Sequence, residues 1–186
     1  MKASQAQVFL AGLAFFLISI RADVNAAETY RLAFTDVDGN SFSTADGHIT
    51  TVVLTTQAGV DKARLVGDRI PDFCLANPMY RMITVLVFEK KHSKPTQVIL
   101  RALMRRRLNA EGHRLQTRYD NLKIAQAARP NVSAVADFDG TIANELGCQP
   151  GANLFRVLVL GKNGELINQW SDVPSAEELS SALKRD

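Results

Sequence analysis

His48-Ile-Thr-Thr-Val-Val-Leu-Thr-Thr56 is a run of β-branched and apolar residues that leads straight into Gln57-Ala-Gly-Val-Asp-Lys-Ala63. Branching at Cβ restricts χ1 and suits a pleated strand, so the first segment predicts a strand and the second a turn opening a helix. Val60, Ala63, Val66 and Ile70 fall near helical spacing, which predicts a helix over Val60 to Leu75, ended by Asn77-Pro78. Arg81-Met-Ile-Thr-Val-Leu-Val-Phe88 is nearly all apolar, as in a central strand covered on both faces.

Lys94-Pro95 opens a long helix in which Ile99, Leu103, Leu115, Tyr119 and Leu122 suggest an apolar stripe opposite Arg101, Arg105, Arg106 and Arg114. Gly112 is expected to weaken it in the middle. Pro130 closes the segment, and Val132 to Asp137 reads as a strand. Thr141 to Leu146 is a short helix. Leu154 to Leu160 and Glu165 to Trp170 form a hairpin across Lys162-Asn163-Gly164. Ser175, with Glu178 three residues on, is a capping box for a final helix. Upstream, Tyr30 to Asp36 is a short strand. Asp38-Gly39-Asn40 and Asp46-Gly47 are turns, and Ser41-Phe-Ser43 is too short to assign.

The first 26 residues have the pattern of an export signal. Lys2 supplies positive charge, Val8 to Ile20 an apolar core, and Val24-Asn25-Ala26 a small-residue cleavage site. The core is shorter than the roughly 20 residues that span a bilayer, so cleavage after Ala26 would leave no transmembrane segment. Residues 27–186 then form one domain, exported to a bacterial periplasm or secreted.

The net charge of +3 hides an uneven distribution: Lys90 to Lys123 holds ten Lys and Arg against Glu111 and Asp120. Arg105-Arg-Arg107 and its neighbours offer a surface for anionic lipid heads or an acidic protein. No aromatic residue lies among these arginines to stack a base, and nucleic acid is not an expected partner. Export makes a structural disulfide the default for the two cysteines, Cys74 and Cys148. Their spacing is neither CxxC nor that of a zinc knuckle. His48, His92 and His113 are scattered, so no metal site and no cofactor are expected.

The element order is strand, strand, helix, strand, long helix, strand, short helix, hairpin, helix. It predicts an α/β three-layer sandwich with a central mixed sheet and helices on both faces. Over residues 30–184 it resembles the thioredoxin-like superfamily, the thioredoxins and peroxiredoxins. Matching Val52-Val-Leu-Thr-Thr-Gln-Ala58 to the strand that leads into a thioredoxin active site puts Gly59 and Lys62 where the two cysteines would stand. Thioredoxins begin the later hairpin with a cis-proline, and here the position is Arg156. Peroxiredoxins often have an arginine there and a threonine three residues before their cysteine, where this chain has Thr56. The resemblance therefore implies a binding edge of Thr56, Gly59, Lys62 and Arg156 without a catalytic nucleophile. It also implies that Cys74, at the far end of the first helix, and Cys148, beside the edge, are apart and unbonded, against the compartment default. Cys148 is then the one thiol placed for redox chemistry, which needs a thiolate stabilised by nearby cations.

Val135-Ala-Asp-Phe-Asp-Gly-Thr141 resembles the DxDGT signature of haloacid-dehalogenase-type phosphatases, which implies Asp137 as nucleophile, Asp139 as acid and a magnesium ion. Too little chain follows Asp139 for the rest of that fold. The earlier copy, Asp36-Val-Asp-Gly39, has room downstream. Between Asn40 and Ile49, however, there is no space for a crossover of about a dozen residues. The leading expectation is an exported, non-catalytic binding protein with an unidentified protein partner. A one-cysteine redox protein using Cys148 and a DxDG phosphatase are the alternatives.

Overall fold

The computed structural model describes residues 28–149, 151 and 154–185. The export signal, the cleavage site after Ala26 and the start of the exported domain lie outside the described residues. The first strands among the described residues form a small hairpin of β1 (Ala33–Thr35) and β2 (Ser41–Ser43). There follow β3 (Ile49–Thr55), α1 (Val60–Arg69), β4 (Tyr80–Val87), α2 (Lys94–Asn121), β5 (Ser133–Asp137), α3 (Thr141–Glu145), β6 (Phe155–Leu160), β7 (Leu166–Trp170) and α4 (Ala176–Leu183).

The main sheet has the order β5-β4-β3-β6-β7, with β3 at its centre. β4 lies parallel to β3 and β5 parallel to β4, while β6 and β7 run antiparallel to their neighbours. Every residue of β3 is buried, as the β-branched run requires of a strand with both faces covered.

Alternate residues of β3 point to opposite faces and build separate cores. Val53 joins Ala63 and Val66 of α1, Val157 and Val159 of β6, and Leu179, Ala182 and Leu183 of α4. α2 covers the β4–β5 side of that face through Met104 and Leu108 on Leu86 and Ala134. Val52 and Leu54 face the other way, onto Tyr30, Leu32 and Phe34 of the N-terminal segment and Ala143 and Leu146 around α3. The second layer is thus mostly the hairpin segment with one short helix, where the sequence predicted helices on both faces. Ser175 caps α4 in a complete capping box, as its spacing predicts.

The helices depart from the sequence expectations in two places, the end of α1 and the packed face of α2. α1 stops at Arg69, and Asp72–Cys74 forms only a single turn of 3-10 helix, because Pro71 cannot donate to an α-helical ladder. The apolar stripe expected on α2 packs only in part: Tyr119 is buried and Leu115 half-buried, but Ile99, Leu103 and Leu122 are 61, 53 and 40% exposed, and Met104, Leu108 and Gly112, outside the stripe, are buried. Packing begins only where α2 reaches β5 and the Arg129–Asn131 turn, so the earlier apolar residues remain outside. Gly112 does not interrupt the helix, because it sits where that turn crosses. A methyl group there would stand 2.8 to 3.2 Å from the Arg129 side chain and backbone.

Candidate functional site

The end of β3 delivers Thr55 and Thr56 to the start of α1, both buried. Thr55 Oγ1 donates to the Thr56 carbonyl at 3.1 Å, and the Gly59 N–H donates to the same carbonyl, also at 3.1 Å. These bonds hold a tight 3-10 turn over Gln57–Gly59. A side chain at position 59 would collide with the Thr55 hydroxyl and touch the Phe155 ring at 3.4 Å. The space that a side chain at position 59 would need is therefore filled by its own strand. Lys62, one turn into α1, lies 2.9 Å from Asp172 and 5.5 Å from the centre of the Phe155 ring. Lys62 in turn holds the Asp172 carboxyl below its usual range.

The expected edge therefore divides. Gly59 and Lys62 gather around Phe155 on the face covered by α1. Arg156, the next residue of β6, points to the opposite face, as strand alternation demands. There its charge acts on Cys148 and Tyr30, favouring the ionised form of each against the effect of burial. Thr56 is buried in the strand end between these two groups. Tyr30, Glu28, Phe155 and Asp172 were not singled out in the sequence. Of these only Phe155, neighbour to Arg156 on an alternating strand, carried a local signal.

Cys148 is 8% exposed in the core beneath α3, and its Sγ donates to the Leu146 carbonyl at 3.4 Å. Burial pushes its thiol up; the Arg156 charge opposes this and Glu28 reinforces it. Cys74 is buried on the other side of the sheet, and burial raises its pKa to about 12. Both thiols are free. The disulfide expected from the compartment is absent because the two side chains lie in cores on opposite faces of the sheet.

Both DxDG segments fold as turns. Asp36 is buried and accepts hydrogen bonds from the Asp38 and Asn40 N–H groups at 2.9 and 2.8 Å and from Asn40 Nδ2 at 3.0 Å, tying the β1–β2 turn. Asp137, 2% exposed, accepts from the Ala143 N–H at 2.9 Å, and Asp139 accepts from the Thr141 N–H at 3.0 Å. Burial pushes the Asp137 carboxyl up. All three carboxylates are occupied in shaping turns and the first turn of α3. The thioredoxin-like fold and these turn-forming bonds lend the phosphatase reading no support.

His48 pairs with Asp46 at 2.8 Å, and His92 packs edge-on against Phe88 and Phe138. No three metal-ligating side chains converge among the described residues. The three arginines Arg105, Arg106 and Arg107 do not form one patch. Arg105 donates to the Val37 carbonyl at 2.5 Å and lies 3.8 Å from Asp38, while Arg107 turns toward a cleft between α1 and α2.

No family model matches the sequence, and no curated protein does. Solved structures do resemble it. A secreted thiol-disulfide isomerase from Corynebacterium glutamicum aligns with a TM-score of 0.53 at 11% identity, covering 84% of this chain and 83% of that one. The exposed lipoprotein thioredoxin Etrx1 of Streptococcus pneumoniae gives 0.52 at 12% identity, covering 84% and 99%. A DsbF homologue from Corynebacterium diphtheriae gives 0.51 at 11%, covering 87% and 88%. At such low identity the likeness concerns the fold: this chain has a thioredoxin-like fold and carries no CxxC pair.

Proposed function

We propose that this is an exported thioredoxin-fold protein that acts by binding a protein partner and not by thiol chemistry. The observation that carries the reading is position 59, where the Thr55 hydroxyl fills the space a nucleophilic side chain would need. Thiol exchange and peroxide reduction both begin with an accessible thiolate. The two thiols here are buried and held protonated. The export signal in the sequence supports an extracytoplasmic location. So do the structural neighbours described as secreted or exposed. No helix among the described residues is long and apolar enough to cross a membrane.

The contact surface of this reading is the edge formed by the Gln57–Gly59 turn, Lys62 and the Arg156 side of the hairpin. A photo-crosslinking residue at Ala58, compared with one at Ala125 on the distant side, tests it in the producing cell. A discrete adduct from Ala58 alone, lost in Arg156→Ala, is the expected result. Adducts confined to Ala125 would place the partner elsewhere and refute the assignment.

One observation favours a second reading, a one-cysteine redox protein: the Arg156 charge acts on Cys148 in the direction of a thiolate. That reading requires peroxide consumption lost in Cys148→Ser. The first requires no consumption in either form.

A further inference from the structure

The core on the helical face of the sheet is discontinuous. One group gathers around Val53, Ala63 and Val66, another around Leu86, Met104 and Leu108. Between them lies a cavity of about 630 Å³, walled by α1 and α2. Small-molecule sites typically enclose roughly 300–1,000 Å³. The floor is β4, a strand paired on both sides, yet Met82 and Thr84 on it are only half-buried. A central strand with an uncovered face is a vacancy in the core, and its lining of Met82, Met104, Leu108 and Leu115 is apolar. Two methionines give that lining an adaptable shape.

Charge at the opening is selective. α1 and α2 are joined across it by ion pairs, Arg64 with Glu111 and Arg114 with Asp68. Asp61, Asp68 and Glu111, the acids that line the cavity, are each paired with Arg64 or Arg114, and Arg118 pairs with Asp72. Arg107 lines the cavity with no acidic partner among the described residues. The cavity is flanked by α1, whose ten residues span about 15 Å, comparable with a medium-length alkyl tail.

We propose that this cavity binds a single-chain amphiphile with an anionic head, of the aliphatic monocarboxylate class. The tail lies over Met82, beside Met104 and Leu108, and the head meets Arg107. The cavity reaches the Gln57–Gly59 turn through Gln57, but the contacts proposed here, at Met82, Met104, Leu108 and Arg107, do not depend on the reading of that edge.

The test uses the full chain with its methionine methyl groups labelled with ¹³C, titrated with dodecanoate below its micelle concentration. Met82 and Met104 line the cavity, whereas Met79 is exposed outside it. The expected result is a saturable shift of the Met82 and Met104 signals with Met79 unmoved. Shortening the tail should weaken binding by about fourfold per methylene. Arg107→Glu, a change on the exposed rim, should weaken dodecanoate at least tenfold and leave dodecanol unchanged. Absence of a saturable shift at Met82 and Met104, or parallel movement of all three signals, overturns the site. Equal loss of dodecanoate and dodecanol in Arg107→Glu, or no loss of either, overturns the anionic head.

Discussion

At position 59 the backbone comes so close to the wall of β3 that a Cβ atom would run into the Thr55 hydroxyl. Gly59→Cys is therefore expected to destabilise the fold by about 1–3 kcal/mol, the usual cost of overpacking, and to confer no disulfide reductase activity. Urea unfolding of Gly59→Cys against Thr55→Ala/Gly59→Cys checks the cause, because the double variant removes the obstructing hydroxyl and should recover part of the loss. A second residue-scale expectation concerns acid. Burial would raise the Asp46 carboxyl, but hydrogen bonds from Arg81 and His48 outweigh it and bring its pKa from 3.8 to about 2. A carboxylate depressed in the folded state contributes stability above its unfolded pKa and loses it as pH falls through the folded one. Stability should accordingly fall between about pH 4 and pH 2, and Asp46→Asn should flatten that part of a denaturation-versus-pH profile. An unchanged slope would show that other carboxylates govern it. That position 59 carries no thiol was legible from residue type alone. That its space is filled was not, since it depends on the Thr55 rotamer and the tightness of the turn.

Elements were legible wherever a local signal was strong. The β-branched run of β3, the apolar run of β4, the Ser175–Glu178 box and the Lys162–Gly164 turn all appear close to where their residues place them. The face of α2 was legible only toward its C-terminal end, at Leu115 and Tyr119, because apolar residues occur around much of its circumference. Its buried side is chosen by where the helix meets β5 and the Arg129–Asn131 turn. Gly112 marks that crossing. Helix propensity alone favours Gly112→Ala by about 1 kcal/mol, but contact with Arg129 opposes it. The expected sign is destabilisation, by about 1–3 kcal/mol, in thermal or urea unfolding. Stabilisation would mean that the Arg129–Asn131 turn yields readily. Asp137 acts at the same scale, holding the Ala143 N–H at the start of α3. Asp137→Ala should cost about 1–2 kcal/mol, as loss of a helix-capping side chain does, with no magnesium-dependent phosphatase activity present to lose.

Across the whole molecule the sheet order β5-β4-β3-β6-β7 keeps a thioredoxin-like frame while its two thiols lie on opposite faces, each in an apolar core. Element order made the frame legible. The layer over the second face was not, because β1 and β2 are three residues each and take their place through tertiary contacts, among them Phe34 and Phe42 packed against the sheet. The compartment argument for a disulfide failed for a geometric reason: a five-stranded sheet stands between Cys74 and Cys148. The reading of a fold that binds without thiol chemistry is most directly tested by alkylation of the purified protein without reductant, native and denatured, followed by intact mass. The expected result is no label on the native protein at neutral pH, over a period that fully labels free cysteine, and two labels after denaturation. Rapid native labelling of Cys148, or two labels gained only after reduction, would contradict it.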